Sequence, residues 1–299
     1  MYSQISSNKT KTFFIFALFI FLFSGFFYLI DIYNNTGSYY LTIGLVVSVF
    51  SSVFSYYFSD KVVLFTLQAI PADKRTYFDL YTVVENLCIS SGLPPPKVYV
   101  IQDDAPNAFA TGRDPKHSVV CVTTGLLAKL NRSELEGVIS HELSHIKNYD
   151  ILLASVVAVL VGTLAFVADW ILRSMWWGGF KKSSDDDDRR GSNPLMLVLV
   201  IVAAILTPII ATLIQLAMSR KREFLADASG ALLTRHPEGL ARALEKIAMD
   251  PTPMLHASTS TAHLFISNPF KRQTKRDWLV NLFSTHPATE ERIKMLRSM

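Results

Sequence analysis

Long uncharged apolar runs alternate with ordinary amphipathic sequence along this chain. Four runs reach the roughly 20 residues that a helix needs to cross a bilayer; they cover 13–30, 40–58, 151–172 and 195–218. The last contains Pro208, which neighbouring helices make tolerable inside a membrane. For 13–30 the alternative is a cleaved signal peptide, which its length and the lack of a small-residue cleavage site disfavour.

The sequence between these runs has the periodicities of a mixed α and β domain. Apolar spacing near 3.6 predicts helices, and short β-branched runs predict strands. A capping-box pattern at Ser133 predicts the start of a helix that continues to about Asn148. Other helices are predicted at 72–91, 222–233, 237–249 and 289–297, strands at 98–101, 107–111 and 118–123, and an irregular stretch at 251–284.

Composition agrees with a membrane protein that has one water-exposed domain. The 299 residues are 50% hydrophobic and only 18% charged, whereas soluble domains carry about 25% charged residues. A net charge of +4 is too small to indicate nucleic acid as a partner. Two cysteines, Cys88 and Cys121, cannot form a disulfide framework and fit a reducing compartment.

Basic residues predict the orientation in the membrane. Lys9 and Lys11 precede the first run, Lys61 follows the second, and Arg220 and Arg222 follow the fourth, which places both termini in the cytoplasm. The expected organisation is a transmembrane hairpin (1–58), a cytoplasmic domain (59–150 with 219–299) and a second membrane hairpin (151–218). The 173–194 loop of that hairpin holds five basic residues, so a shallow hairpin that does not cross stays open.

The string His141-Glu142-Leu143-Ser144-His145 falls inside the capped helix. Histidines at i and i+4 share one helical face, so both imidazoles can bind one metal ion at about 2.0–2.1 Å. Glu142 lies beside that ion, where a carboxylate can take a proton from water. Two surface histidines on an amphipathic helix are the alternative, and the helix cap and apolar face argue against it.

A catalytic zinc needs a third protein ligand and an open position. Glu223 and Asp227, again four residues apart, follow the fourth apolar run and return to the same side of the membrane. Glu223 can be the third ligand, and Asp227 can accept the second ring N–H of a ligand histidine. Ordinary surface acids beside a basic membrane anchor are the alternative.

Four stretches together resemble the HtpX heat-shock membrane metalloproteases, gluzincins related to the CAAX prenyl endoprotease. They are 141–145, 219–227, Asn107-Ala108-Phe109-Ala110-Thr111-Gly112 and Thr285-His286-Pro287, in the order that the family has them. The resemblance spans nearly the whole chain. It implies a mainly α membrane protein: four membrane helices and an α+β gluzincin-like zinc metalloprotease domain with a small β-sheet.

The resemblance also implies residue roles. His141, His145 and Glu223 would bind one Zn²⁺ per chain, Glu142 would be general base and acid, and Asp227 would support a ligand histidine. Asn107, Ala108 and Phe109 would begin an edge strand that pairs with the substrate backbone.

Two further positions match residues that line the active site of the prenyl endoprotease, His286 and Arg292, where they could stabilise an oxyanion. As alternatives, His286 is a turn residue and Arg292 pairs with Glu290 or Glu291 on a surface helix. His256 and His263 are expected to be polar surface residues. Asp169, near the end of its apolar run, is expected at the membrane interface.

The predicted function is that of a multi-pass inner-membrane endopeptidase whose active site faces the cytoplasm. The residues indicate hydrolysis of protein substrates, and the resemblance adds misfolded or damaged membrane proteins, hence quality control under stress. Two alternatives stay open: a dedicated processing protease of the prenyl-endoprotease type, and a non-catalytic membrane scaffold with a structural zinc.

Overall fold

The computed structural model describes residues 2–178, 219–270 and 287–299. The predicted span 195–218 and His286 lie outside these ranges, as does most of the 173–194 loop. The helices are α1 (Tyr2–Asn34), α2 (Tyr39–Thr66), α3 (Phe78–Ser91), α4 (Thr124–Lys129), α5 (Arg132–Lys147), α6 (Asp150–Gly178), α7 (Arg220–Thr234), α8 (Pro237–Met249) and α9 (Thr289–Arg297). The strands are β1 (Ile70–Pro71), β2 (Lys97–Ile101), β3 (Ala108–Gly112) and β4 (Ser118–Thr123).

Helices α1, α2 and α6 are long and apolar enough to cross a membrane. The α1–α2 hairpin is closed by Asp31, whose carboxylate accepts hydrogen bonds from the backbone N–H groups of Tyr40 (3.0 Å) and Leu41 (2.7 Å). The carboxylate thus satisfies donors at the start of α2 that a helix leaves unpaired. Near the far end of α6, Asp169 is exposed and pairs with Arg173 at 2.7 Å.

The sheet has the strand order β1-β2-β4-β3 and therefore places β3 at an edge. Strands β2 and β4 are parallel, and β3 runs antiparallel to β4 with Phe109 opposite Cys121. The predicted strands are confirmed to within a residue or two, whereas the two-residue strand β1 and helix α4 were not predicted.

Two predicted helix starts are wrong, each for a local reason. The helix expected from residue 72 begins at Phe78, because the Asp73 carboxylate accepts a hydrogen bond from the backbone N–H of Thr76 (2.8 Å) and holds a turn. Helix α5 is capped by Asn131 rather than by Ser133. The Asn131 side chain accepts from the Glu134 N–H (3.0 Å), and the Glu134 carboxylate accepts from the Asn131 N–H (2.8 Å).

Helix α5 lies at the centre of the domain that the sequence predicts to be water-exposed. Val138, Ile139 and Leu143 are buried in one core that also contains residues of the sheet and of helices α3, α7 and α8. A second apolar cluster joins α1 to α6 through residues such as Phe19 and Leu160. The helix with the predicted metal ligands is therefore packed between the domain core and the start of membrane helix α6.

Candidate metal centre

Helix α5 presents its histidines on a buried face. His141 and Glu142 are almost fully buried, and the His145 side chain is 15% exposed. Burial of two imidazoles and a carboxylate is unfavourable unless the groups are hydrogen-bonded or bind an ion. The partners of these groups therefore decide what the site can do.

Helix α7 brings Glu223 and Asp227 against this face of α5. Their approach depends on Gly230, because a Cβ at that position would lie 2.9 Å from the Ser140 Oγ and 3.0 Å from the His141 backbone N. Glycine therefore lets the two helices come closer than any other residue would allow.

Three donor atoms converge between the two helices. The Nε2 atoms of His141 and His145 are 3.1 Å apart. The Glu223 carboxylate oxygens lie 3.7 Å from the His141 Nε2 and 3.6 Å from the His145 Nε2. A tetrahedral ion with bonds of about 2.0–2.1 Å separates its donors by about 3.3 Å. The observed spacings bracket this value, so the three side chains fit one ion.

A carboxylate orients each imidazole. The His141 Nδ1 lies 2.9 Å from the Asp227 Oδ1, and the His145 Nδ1 lies 3.0 Å from the Asp150 Oδ2. An ionised carboxylate only accepts hydrogen bonds, so each Nδ1 carries a proton, and with a metal bound each ring would direct an Nε2 lone pair inwards. Two such lone pairs 3.1 Å apart repel each other unless a positive charge lies between them, as a bound metal ion would.

The electrostatics of the cluster favour a cation. Burial opposes protonation of His145, but the hydrogen bond to Asp150 and the charge of Glu223 outweigh it and raise the pKa to about 9. For His141, burial dominates and lowers the pKa. Without an ion, the site therefore takes up a proton at His145, the position where a metal would replace that proton.

Glu142 lies beside the converging donors. Burial raises the pKa of its carboxyl group to about 7, although His145 opposes the shift and a hydrogen bond from the Ala110 backbone opposes it weakly. The residue lines a cavity of about 40 Å³ together with His141, His145 and Glu223. Such a cavity has room for a water molecule or two, so a base with a pKa near neutrality lines a space next to the donor set that could hold water.

Arg292 reaches the centre from α9 and is 1% exposed. Its Nε and Nη2 atoms donate to the two Asp227 oxygens at 2.8 and 2.7 Å, and its Nη1 donates to the Ile266 carbonyl oxygen at 3.1 Å. Burial acts to raise the pKa of Asp227, but the Arg292 charge and the His141 contact lower it to about 2. Arg292 therefore keeps Asp227 ionised and does not pair with Glu290 or Glu291 as the alternative had it.

Asp150 is held by residues that the sequence analysis did not identify. Its Oδ1 accepts a hydrogen bond from the Asn8 Nδ2 at 2.7 Å and lies 3.6 Å from the Arg222 Nε. The Arg222 Nη1 in turn donates to the Asn8 Oδ1 at 3.3 Å. The second turn of the membrane helix α1 thus contacts the carboxylate that orients His145.

Comparison with known proteins now adds to this geometry. The sequence profile of peptidase family M48 matches residues 75–299. This chain belongs to peptidase family M48. A protease HtpX homolog of Thermoanaerobacter pseudethanolicus is 44% identical over 100% of this chain and 98% of that protein. One of Syntrophobacter fumaroxidans is 49% identical over 88% of this chain and 91% of that protein.

A solved structure, that of Ste24p from S. mikatae, covers 99% of this chain and 67% of its own with a TM-score of 0.49 and 18% identity.

Membership in family M48, together with the identity to HtpX homologs, confirms the resemblance to the HtpX proteases. The M48 peptidase is a membrane-embedded metalloprotease of the HtpX type. Its three candidate spans among the described residues make it an integral membrane protein. The mostly helical fold with a small mixed sheet confirms the coarser part of the predicted fold class. Three of the four predicted membrane helices lie among the described residues, and the gluzincin-like detail stays a prediction.

The predicted substrate-binding residues of the M48 peptidase make internal contacts. The Asn107 Nδ2 donates to the Ser267 carbonyl oxygen (3.0 Å), and the Ala108 carbonyl oxygen accepts from the Ile266 N–H (3.0 Å). Phe109 packs edge-on against Phe265, with ring centroids 5.2 Å apart. The edge of β3 is thus covered at its start. Ala110, which the sequence analysis did not single out, lines the cavity.

The outcomes differ for the three other histidines that the sequence analysis considered. His263 was expected at the surface, and this expectation is wrong: it is 6% exposed, lines the cavity, and places its Nε2 3.0 Å from the Ala154 carbonyl oxygen. His256 is partly exposed. His286 is among the residues that the structure does not describe, so its role stays a prediction.

Proposed function

We propose that this M48 peptidase is a zinc endopeptidase that cuts membrane proteins, damaged or misfolded ones above all, from the cytoplasmic side. One observation carries the proposal: His141, His145 and Glu223 converge on a point beside Glu142. Two imidazoles and one carboxylate are a donor set of catalytic zinc, which keeps a fourth position open for reaction.

The donor set argues against a purely structural zinc. Structural sites usually close the fourth position with cysteine or histidine. Burial raises the pKa of the Cys88 thiol to about 11 and that of Cys121 further still, so neither is a ready thiolate ligand. Among the described residues, the group that could hold an ion contains only the two histidines and Glu223.

A zinc ion at these donors would act as a Lewis acid towards the scissile carbonyl and make a nearby water more acidic. Glu142 takes the proton of the attacking water, because a carboxyl with a pKa of about 7 is half ionised near neutrality. It then gives the proton to the leaving nitrogen. Asp227 and Asp150 keep the imidazoles in the tautomer that ligation requires.

Substrate would approach along β3 at Ala110, the strand residue that lines the cavity. An extended peptide that adds to this edge would run past Glu142. Arg292 acts as a positioning residue in this proposal, since its donors contact Asp227 and the Ile266 carbonyl oxygen. An oxyanion role for Arg292 or His286 stays a prediction.

The site lies next to the membrane helices. Helix α6 starts at Asp150, and its first turns supply Ile151 and Ala154 to the cavity wall. A protease whose cavity adjoins a membrane helix is suited to polypeptides that emerge from the bilayer. The cytoplasmic orientation rests on the positions of lysine and arginine in the sequence, and the quality-control role on the resemblance to HtpX proteases.

Glu142→Gln separates chemistry from metal binding. Purified in detergent, this variant should keep one zinc per chain and cleave casein at least about 100-fold more slowly than the unaltered chain. The chelator 1,10-phenanthroline should stop the unaltered enzyme, and added zinc should restore it. Casein cleavage and elemental analysis of zinc measure the two properties separately.

Two variants complete this experiment. Glu136→Gln, at a partly exposed position of the same helix that pairs with Arg132, should retain both zinc and activity. Glu223→Ala should lose zinc as well as cleavage. Stoichiometric zinc in Glu223→Ala would refute the ligand assignment, and undiminished cleavage by Glu142→Gln would refute the proposed base.

A further inference from the structure

A second cavity, of about 670 Å³, lies where α1, α2 and α6 meet the water-exposed domain. It is distinct from the metal centre and shares no lining residue with it. Helix α1 contributes four lining residues and the β3–β4 connection another four. The lining side chains used below are Lys9, Phe13, Phe16, Arg113, Lys116 and Leu152.

Three cationic side chains line this cavity. Lys9 places its Nζ 4.6 Å from the centre of the Tyr149 ring, and the Arg113 guanidinium lies 5.4 Å from the centre of the Tyr57 ring. Lys116 is exposed. These aromatic contacts position Lys9 and Arg113 and leave their N–H groups available for an anion.

Asp114, the acidic residue among those that line the cavity, is already hydrogen-bonded. The Asp114 carboxylate accepts hydrogen bonds from the backbone N–H groups of Lys116 and His117, both at 2.9 Å. It also contacts the His117 ring at 2.9 Å and lies 3.5 Å from the Arg113 Nε. Three cations and one internally bonded carboxylate give the cavity lining a net positive charge.

Several other side chains that line the cavity are apolar. Phe13 is 69% exposed, Phe16 is partly buried, and Leu152 belongs to the cluster between α1 and α6. Phe13 lies one helical turn beyond Lys9 and opens the first apolar run. Lys9 therefore lies just before the first apolar run, and Arg113 lies against Tyr57 at the end of the second run, so both cations are close to an end of a predicted span.

We propose that this cavity binds one anionic phospholipid, with the phosphate held by Lys9, Arg113 and Lys116 and an acyl chain along Phe13 and Phe16. Basic pockets between membrane helices at this depth suit lipid headgroups. Arginine can bind a phosphate with two parallel hydrogen bonds, which the lysines supplement as point charges. The apolar wall favours a lipid over a soluble phosphate, because only a lipid can cover exposed phenyl rings.

The cavity adjoins the residues that orient His145. Lys9 follows Asn8, and the Asn8 amide donates to both the Asn148 carbonyl oxygen (2.9 Å) and Asp150 (2.7 Å). A lipid on Lys9 would thus restrain the turn of α1 that contacts Asp150. The lipid site itself does not depend on the proposed zinc chemistry.

Native mass spectrometry of the full chain tests the proposal. The chain would carry Glu142→Gln to prevent self-cleavage, be delipidated in dodecyl maltoside, and be titrated with dioleoylphosphatidylglycerol or dioleoylphosphatidylcholine. One phosphatidylglycerol should bind at least about tenfold more tightly than phosphatidylcholine, since each basic residue near an anionic lipid contributes about fivefold. Lys9→Gln, Arg113→Gln and Lys116→Gln together should abolish this preference.

Control variants separate the cavity from net charge. Arg132→Gln, Arg242→Gln and Lys294→Gln remove the same charge from exposed helix faces elsewhere and should keep the preference. Lys9→Arg with Lys116→Arg should keep it as well, which guards against misfolding of the glutamine variant. Equal loss in the distant triple variant, or no preference in the parent chain, would overturn the proposal.

Inorganic phosphate distinguishes a lipid site from a simple anion site. At 10-fold molar excess over the lipid, phosphate should leave phosphatidylglycerol bound, because it lacks the acyl contact with Phe13 and Phe16. Full displacement at that ratio would assign the cavity to soluble phosphate and refute the lipid.

Discussion

The two imidazoles of the metal centre are supported from different parts of the molecule. His141 contacts Asp227 of α7, which a buried arginine of α9 holds from the other side. His145 contacts Asp150, the first residue of membrane helix α6, and Asn8 of membrane helix α1 holds that carboxylate. One half of the centre thus belongs to the water-exposed domain, and the other half depends on the membrane helices.

The two halves also differ in strength. Asp227 receives two short N–H donors from one guanidinium, whereas Asp150 has one amide donor and an arginine 3.6 Å away. Charge-assisted bidentate pairs are the stronger kind. We therefore expect the His141 half to determine whether the domain folds, and the His145 half to respond to the position of α1 in the membrane.

Asp227→Asn should have the largest effect on stability. The substitution keeps the shape but removes the charge that neutralises Arg292, and breaking a buried pair costs about 3–5 kcal/mol. In a domain of this size, that loss lowers the melting temperature by roughly 10 °C. Thermal unfolding in detergent, followed by intrinsic fluorescence, measures it.

The double variant Asp227→Asn with Arg292→Met separates the pair from the histidine contact. It removes the uncompensated guanidinium and should melt at a higher temperature than Asp227→Asn alone. An equal or lower melting temperature would show that the pair with Arg292 is not what Asp227 contributes.

Asp150→Asn should mainly weaken metal binding. Loss of a carboxylate that orients a ligand histidine typically lowers metal affinity by about 10–100-fold. The fold should suffer less than in Asp227→Asn, because Asp150 forms no bidentate pair with any residue in 2–178, 219–270 or 287–299. Competition for zinc against a chelator of known affinity gives the affinity, and a melting temperature as low as that of Asp227→Asn would contradict the assumed difference between the halves.

Features with a local signature could be predicted from the sequence. The i, i+4 spacings of His141 with His145 and of Glu223 with Asp227 each lie within one helix, and helix periodicity fixes which side chains share a face. The bounds of α8 follow from Pro237 at its first position and from its apolar spacing. For such features, a window of a few residues contains the information.

Features that depend on contacts between distant segments could not be predicted. Asn8 and Asp150 are 142 residues apart, and the sequence around Asn8 shows only a polar residue before an apolar run. Ala110 lines the cavity because of the register of β3, and nothing in its residue type indicates this. His263 was expected at the surface because its surroundings are polar, yet packing against α6 buries it.

Asn8→Ala should have the smallest of the three effects and tests the link between the membrane helix and the centre. The change leaves the Asn148 carbonyl oxygen and the Asp150 Oδ1 without their amide donor, which costs about 1–3 kcal/mol in a buried environment. Zinc affinity should fall by less than in Asp150→Asn, because the carboxylate stays in place. The neighbouring exposed Thr10→Ala is the matched control and should change neither property. If chelator competition shows the same zinc affinity for Asn8→Ala and Thr10→Ala, α1 does not support His145, and the centre is independent of the membrane helix.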